Sequence, residues 1–165
     1  MTDQPLEPAR HTLSQLAAAG ELPAAMPEKQ GWVADQLAAI DAAGTTEAAS
    51  VHGMSVVVVT MLGARSGRLR RVPLMRVEHE GRYLAVASKG GAPEHPHWFN
   101  NIQAHPDVLV QDGSEQHALR ARVLDAGPER DAWWGRAVAA FPPYAEYQEK
   151  TSRQIPVLVL EPIAQ

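Results

Sequence analysis

A run of apolar, mostly β-branched residues, Ser55-Val-Val-Val-Val-Thr-Met-Leu62, places the strongest constraint on how this chain folds. β-branched side chains favour extended backbone, and an apolar run without polar alternation is typical of a strand that is buried on both faces. The chain has 165 residues, 45% of them hydrophobic, which suffices for one domain with a single core. We therefore expect a sheet in which this segment is shielded from water on each side.

The pattern after this run predicts further strands joined by tight turns. Glu80-Gly81 and Asp112-Gly113 are turn signals, and hairpin connections imply antiparallel pairing. Six or seven antiparallel strands with few helices predict a mainly β, α+β fold, a small barrel with helices packed outside it. The further strands are predicted at Val72–His79, Arg82–Ser88, Val108–Gln111, Gln116–Leu124 and Ile155–Leu160.

Helices are predicted at both ends of the chain and between the strands. Residues 1–30, rich in Ala, Pro and Glu, form a partly helical arm, and residues 31–165 form one domain. Trp32 opens the first helix of that domain, where it is expected to be a core or interface anchor. The predicted helices are Leu6–Ala19, residues 31 to 43 with Gly44 as the stop, Pro96–Ala104 and Pro128–Ala140.

Composition excludes several classes of function. The net charge is −4, which argues against a broad nucleic-acid-binding face, and the absence of cysteine excludes disulfides and thiolate metal sites. No signal peptide and no bilayer-spanning apolar run is apparent, so a cytoplasmic protein is expected. His95 and His97 flank Pro96 without a completing Asp or Cys, so no metal site is expected.

The arginine segment, Gly63 to Arg76, holds five of the 15 basic residues and no acidic residue. Crowded like charges repel each other, so either solvent or a bound anion must relieve them. Ser66-Gly67 permits an unusual turn whose amides can hold an anion, and arginine offers a forked donor to phosphate or carboxylate. Alternation is expected to place Arg70 and Pro73 in different surroundings from Arg71, so not every arginine can face one ligand.

Three further segments could contribute to a site. Ser88-Lys89-Gly90-Gly91, the glycine turn, follows a strand and precedes a helix, and its glycines allow close backbone approach to a ligand. Trp98 could pack on a flat ring, and Asn101 offers amide donors and acceptors. Tyr144 and Tyr147 share a helix face, where their hydroxyls could line a pocket or donate a proton. Ordinary core packing and an exposed basic loop remain alternatives for each segment.

Taken together, these segments resemble the deazaflavin-dependent nitroreductase family of actinobacteria, split β-barrel proteins that use coenzyme F420. The resemblance spans roughly Val51 to Pro162, and the order and spacing of its motifs agree throughout. It rests on Gly63-x-Arg65-Ser66-Gly67-x-x-Arg70, Pro73-Leu74, the glycine turn, Pro96-x-Trp98-x-x-Asn101, Pro106-x-Val108, Tyr144-x-x-Tyr147 and Arg153-x-Ile155-Pro156.

The resemblance implies a cofactor site of known layout. Phosphate and acidic-tail contacts would come from Arg65, Ser66, Gly67 and Arg70, with Lys89, Gly90 and Gly91 adding to the clamp. The deazaflavin ring would be bordered by Pro73, Ser88, Trp98 and Asn101. Tyr144 and Tyr147 would cover the ring, and a tyrosine, Ser88 or water could deliver a proton. The chain departs from the family at Ala64, Arg65 and Phe141, which bears on substrate choice more than on cofactor binding.

The implied function is an F420H2-dependent reductase that transfers a hydride to a quinone, with nitroaromatics as adventitious acceptors. An FMN-dependent oxidoreductase of the same fold, and a non-catalytic carrier of F420 or lipid, remain as alternatives. The sequence leaves open a homodimer and a peripheral membrane contact through the substrate.

Overall fold

The computed structural model describes residues 13–19, 22, 24–26 and 31–163. Within these residues the helices are α1 (Leu13–Ala19), α2 (Gly31–Ala43), α3 (His97–Ala104), α4 (Pro128–Ala140) and α5 (Pro143–Lys150). The strands are β1 (Ser50–Val51), β2 (Met54–Leu62), β3 (Leu69–Met75), β4 (Glu78–His79), β5 (Arg82–Val86), β6 (Asp107–Asp112), β7 (Glu115–Val123) and β8 (Val157–Pro162). Single 3₁₀ turns lie at Thr46–Ala48 and Lys89–Gly91.

All strand pairs in the described residues are antiparallel and belong to one curled sheet, which confirms the split β-barrel with flanking helices. The strand order is β1-β2-β6-β7-β8-β5-β4, and β3 pairs with the other edge of β2. β2 pairs with β3 from Val56 to Leu62, and residues 56–62 are all buried. The prediction of a strand buried on both faces is therefore confirmed.

Alternate residues of the sheet separate into two apolar clusters. The first cluster contains Val56 and Val58 of β2 and is covered by apolar residues of α2, α4 and α5. The second contains Val57, Val59 and Met61 and is covered by Phe99 and Ile102 of α3. Successive side chains of a strand point to opposite faces, so the two clusters lie on opposite sides of the sheet.

The predicted strand Val72–His79 is wrong as a single element. It begins earlier, at Leu69, where it pairs with Leu62, and it ends at Met75. Two backbone hydrogen bonds then mark the change of pairing partner. The Arg76 N–H donates to Ser55 O of β2, and the Leu84 N–H of β5 donates to Val77 O. The strand pattern spans this crossover because extended backbone continues while its pairing partner changes from β2 to β5.

Other predicted elements agree with the structure to within two residues at their ends. Pro128–Ala140 is confirmed as α4, and the turn at Glu80-Gly81 joins β4 to β5. Gly44, at φ 75°, stops α2 with a bond from its N–H to Ile40 O. Leu13 to Ala19 of the predicted Leu6–Ala19 helix forms α1, and the rest of that prediction lies outside the described residues.

Trp32 is not a core residue, so of the two expected roles the core role is wrong and the interface role stays a prediction. Its side chain is 59% exposed, whereas Val33, Leu37 and Ile40 on the same helix are buried. The spacing of these three residues defines the buried stripe of α2. Trp32 precedes that stripe by one residue, which turns it toward solvent.

Part of the N-terminal arm packs on the sheet. Leu13 is 2% exposed and shares a third apolar cluster with Leu62, Leu69 and Leu109. The Met26 N–H also donates to Leu69 O at 2.8 Å, which adds one backbone bond at the start of β3. The described part of the arm therefore docks beside the end of β2 that leads into the arginine segment.

Candidate functional site

The arginine loop, Gly63–Arg68, joins β2 to β3 and is closed by its own hydrogen bonds. The Gly63 N–H donates to Arg68 O at 2.8 Å, and the Gly67 N–H donates to Gly63 O at 3.0 Å. Ser66 Oγ accepts from the Arg68 N–H at 3.1 Å. Gly67 has φ 65°, a left-handed conformation that glycine adopts without strain. The Ser-Gly pair therefore fixes the shape of the loop.

Asn101 ties the arginine loop to α3. Its Oδ1 accepts from the Ala64 N–H at 2.9 Å, across 37 residues of chain. Asn101 is half-buried and follows Trp98 by one turn of the same helix. The structure thus brings together the arginine loop and the Trp98–Asn101 segment.

Four of the five arginines of the segment divide into two with an acidic partner and two without one. Arg71 donates two bonds to Asp41 of α2, at 2.7 and 2.9 Å, and these bonds hold the pKa of Asp41 below its usual value. Arg76 donates to both oxygens of Asp112, at 2.9 and 3.0 Å. Arg65 and Arg70 have no ion-pair partner in the described part of the chain. They are the cations of the segment that a ligand can use.

Arg70 lies on the face of β3 that points toward the second cluster. Val72 and Leu74 share this face by alternation and pack against that cluster, as does Trp98. Pro73 lies on the opposite face, with Arg71 and Met75. The structure therefore brings Arg70 to the side of the sheet that holds Trp98, but it does not bring Pro73 there.

The glycine turn has an unusual backbone. Ser88 is right-handed helical, with φ −78° and ψ −38°, and the next three residues have positive φ: 46° at Lys89, 63° at Gly90 and 83° at Gly91. A right-handed residue followed by a left-handed one turns successive N–H groups to one side, which forms an anion-binding concavity. Lys89 is exposed beside it, and its ammonium lies 3.2 Å from Glu94 Oε1.

Gly91 is the point where the glycine turn meets α5. A Cβ at Gly91 would lie 2.7 Å from Tyr147 O and 3.1 Å from Lys150 Cβ, whereas a Cβ at Gly90 would meet nothing within 4 Å. Glycine at position 91 is therefore needed for this helix to approach, and it places the α5 backbone next to the glycine turn.

The three groups predicted to handle protons lie in different surroundings. Tyr144 is 4% exposed and packs in the aromatic cluster, which comprises Trp134, Phe141, Tyr144 and Tyr147. Burial, with a smaller contribution from Tyr147, raises the pKa of Tyr144 above its usual value. Tyr147 is half-buried, and Ser88 is buried at 7% exposure. Tyr144 belongs to the first apolar cluster, whereas Trp98 packs against the second.

Arg153 belongs to the last motif of the resemblance and was not predicted as a site residue, yet it binds the glycine turn and both of its flanks. Its guanidinium donates to three backbone carbonyls, Ala87 O at 3.2 Å, Ser88 O at 2.7 Å and Ala92 O at 2.9 Å. Nothing in the local pattern around a single arginine indicates acceptors that lie 61 to 66 residues away. Its position directly before an apolar strand was the available signal.

A cleft of about 470 Å³ on another part of the surface includes none of the predicted site residues; it is lined by Thr46, Glu47, Ala49, Ser50, Gly53, Ser55, Val56, Arg76, Asp112 and Gly113. Two of its three charged residues already partner each other, since Asp112 accepts from Arg76 and, at 2.6 Å, from the Tyr83 hydroxyl. Burial alone would raise the pKa of Asp112, but these two hydrogen bonds hold it below its usual value. We therefore do not assign a ligand to this cleft.

Two other kinds of feature are absent from the described residues. Over the ranges 13–19, 22, 24–26 and 31–163, no group of three or more His, Asp or Glu side chains could hold a metal ion. Among the helices described, none combines the length and the apolar character needed to cross a bilayer.

Comparison with known proteins identifies the family. A profile of the F420H(2)-dependent quinone reductase family matches residues 32–162. The chain belongs to this family. A putative F420H(2)-dependent quinone reductase of Mycobacterium tuberculosis is 35% identical over 98 residues, which cover 59% of this chain and 82% of the relative. A second F420H(2)-dependent quinone reductase of the same species is 36% identical over 104 residues, covering 59% and 67%.

Two solved structures resemble this member of the F420H(2)-dependent quinone reductase family. An F420-H2 dependent reductase, FDR-A, is 55% identical with a TM-score of 0.61, and the match covers 64% of this chain and 93% of that one. A domain-swapped dimer is 51% identical with a TM-score of 0.65, covering 79% and 98%. Both matches agree with the split β-barrel.

The contact between Gly91 and α5 gives a matched pair of variants. Gly90→Ala should cost about 1–2 kcal/mol of unfolding free energy, because alanine is strained at positive φ. Gly91→Ala should cost clearly more, since its Cβ also collides with the Tyr147 carbonyl. Urea unfolding of both variants measures the difference, and equal losses would show that α5 does not depend on Gly91.

Proposed function

We propose that this protein uses reduced F420 to reduce a quinone. Membership of the F420H(2)-dependent quinone reductase family supports the reaction class. The assignment of the site rests on Arg65, which lies in the arginine loop, and Arg70, which follows it. Neither has an ion-pair partner in the described residues, and the loop is hydrogen-bonded to Asn101. A cytoplasmic location, with contact to the membrane in which quinones reside, stays a prediction.

The groups at the proposed site fit the charge of this cofactor. F420 carries a phosphate and several glutamyl carboxylates, which match a local cationic surface on a protein of net charge −4. Arg65 and Arg70 would bind these anions with forked donors, and Ser66 and Gly67 shape the loop that presents them. The left-handed turn would add backbone N–H donors at Lys89 and Gly90, since the Gly91 N–H already donates to Ser88 O.

The neutral end of the cofactor would lie against Trp98 and Ser88. Trp98 is partly buried against the second cluster, so part of its ring remains available for contact with a flat ligand. Asn101 would act by holding the arginine loop in place through the Ala64 N–H. Pro73 can border the ring only through its backbone, because its side chain lies on the other face of β3.

Reduced F420 supplies a hydride when it is bound, and the protein supplies position and a proton. Tyr144 carries its hydroxyl proton at neutral pH, as an ordinary tyrosine does. Burial raises its pKa further, which makes the hydroxyl a weaker acid. Tyr147 and Ser88 are the other hydroxyl groups proposed for this role, and water could replace any of the three. Tyr144 and Tyr147 form much of the aromatic cluster, which packs with the first apolar cluster. They would approach the reacting groups where α5 meets the glycine turn at Gly91.

Turnover with defined acceptors tests the function. Purified protein should oxidise reduced F420 in the presence of menadione, with a slower reaction for a nitroaromatic acceptor. FMN in place of F420 is the matched control for the cofactor. Tight FMN binding without F420 binding would favour the flavin alternative, and F420 binding without turnover on any quinone would favour a carrier.

The double variant Arg65→Ala/Arg70→Ala should weaken F420 binding strongly. Each lost charge-assisted contact should cost about 1.5–3 kcal/mol of binding free energy. Arg71→Ala is the matched control: it removes the bond to Asp41, and with it some stability, but it should leave cofactor affinity unchanged. Titration at two salt concentrations measures both effects. Unchanged affinity in the double variant would refute the anion clamp.

Tyr144→Phe should lower kcat more than it weakens cofactor binding. Loss of a positioned proton donor costs about 10²-fold or more in rate, whereas the ring itself is retained. Tyr83→Phe is the control, because the Tyr83 hydroxyl bonds to Asp112 away from the proposed site. Steady-state kinetics with saturating cofactor measure the effect. If kcat is retained, Tyr144 has no role in proton transfer.

We also propose that the protein forms a homodimer. The relative that is 51% identical is a domain-swapped dimer, and the 59% exposed Trp32 is available to an interface. Light scattering should give twice the chain mass of 17.9 kDa. A mass of one chain at every concentration tested would contradict the proposal.

A further inference from the structure

The Arg153 guanidinium donates hydrogen bonds to three backbone carbonyls in and beside the glycine turn. Its Nη2 donates to Ser88 O at 2.7 Å, its Nη1 to Ala87 O at 3.2 Å and its Nε to Ala92 O at 2.9 Å. These acceptors lie before, within and after the turn. One side chain therefore contacts both ends of the segment whose middle has left-handed backbone.

The same guanidinium links the turn to the approach to α3. Arg153 Nη1 lies 2.9 Å from His95 Nδ1, which accepts when the ring is neutral. The His95 ring packs edge-to-face on Phe99, with ring centroids 5.0 Å apart. Phe99 belongs to α3, the helix that carries Trp98 and Asn101. Arg153 thus connects two segments of the proposed cofactor site.

Arg153 is itself held by α4 and α5. Gln148 of α5 donates to Arg153 O at 2.8 Å and accepts from the Ile155 N–H at 3.0 Å. Arg130 of α4, which is buried, donates to Ile155 O at 2.7 Å. The segment before β8 is therefore fixed on both sides of its arginine.

We propose that Arg153 is a positioning residue that sets the conformation of the glycine turn for cofactor binding. This inference rests on the proposed function for its ligand. It does not require Arg153 to touch the cofactor, because its polar contacts are with carbonyl groups and His95 on the chain itself. The inference adds a residue to the site, and it gives α4 and α5 a role in shaping the turn.

The requirement is for arginine rather than for a cation alone. Three carbonyl groups are reached from three different nitrogens of one planar group, which the single ammonium of lysine cannot reproduce. The hydrogen-bond acceptors of Arg153 are uncharged, so its positive charge is not neutralised by direct contact with a carboxylate. This charge favours an anion at the turn, whereas the Lys89 ammonium already lies 3.2 Å from Glu94 Oε1.

Three variants of Arg153 test the inference. Arg153→Met removes the donors, Arg153→Lys keeps the charge without the fork, and Arg153→Ala leaves space that guanidinium ion can fill. Arg120→Met is the matched control, because it removes an arginine whose bond is to Asp107 on the surface. Each purified full-length variant is measured for F420 dissociation constant, kcat at saturating cofactor, and amide exchange.

The amides that report on the turn are those of Gly91 and Ala92, which bond to Ser88 O and Lys89 O. In Arg153→Met these amides should exchange faster, and the dissociation constant for F420 should rise by about tenfold or more. In Arg153→Lys the amide exchange rates and the F420 dissociation constant should also rise. In both variants kcat at saturating cofactor should be largely retained. Millimolar guanidinium should restore part of the affinity of Arg153→Ala, which a general loss of stability would not allow.

Two results would overturn the inference. The first is that Arg153→Met keeps both the amide exchange rates and the F420 affinity of the wild-type protein. The second is that Arg153→Lys keeps the wild-type F420 affinity, which would show that the charge alone suffices. If the wild-type protein binds no F420, the proposed function fails, and amide exchange at Gly91 and Ala92 alone decides whether Arg153 sets the turn. The two failures are therefore distinguishable.

Discussion

Strand β2 cannot expose either face to water, and most of the molecule is arranged around this constraint. Residues 56–62 are all buried, so both sides of the sheet need apolar cover. One side is covered by apolar residues of α2, α4 and α5, and the other by Phe99 and Ile102 of α3. Covering β2 thereby brings α3 beside the loop that follows the strand, where Asn101 bonds to the Ala64 N–H. The proposed site is in this sense a consequence of how β2 is buried.

Charge pairing then decides which arginines remain for a ligand. Arg71 pairs with Asp41, Arg76 with Asp112, and Arg120 with Asp107. Each exposed pair contributes little to stability on its own. These pairs engage three of the 19 acidic residues away from the arginine loop, and Arg65 and Arg70 have no ion-pair partner within the described chain. An overall acidic protein can in this way keep a local anion-binding surface.

Local patterns predicted most of the fold, because strands and helices depend on nearby residues. The β-branched run predicted β2, and Gly44 predicted the end of α2. The crossover at Arg76 and Val77 was missed, since extended backbone looks the same whichever strand it pairs with. Trp32 was not found in the core, because it lies one residue before the buried stripe of α2 and faces solvent.

The site was predictable in part for the same reason. The glycine turn and the arginine loop are local, and Gly67, Gly90 and Gly91 mark their left-handed backbone in the sequence, whereas the positive φ of Lys89 has no such signal. The contacts of Arg153, in contrast, depend on where β8 places the preceding residues relative to a loop more than 60 positions earlier. The burial of Tyr144 likewise depends on the packing of α4 against α5, which no local pattern reveals.

The central claim is that the arginine loop, the glycine turn and α3 together hold the cofactor. A crystal structure of the protein with oxidised F420 tests it most directly. We expect the phosphate and acidic tail of the cofactor to contact Arg65 and Arg70, and its ring to lie beside Trp98 and the glycine turn. Density for the cofactor elsewhere, such as the cleft lined by Arg76 and Asp112, would contradict it.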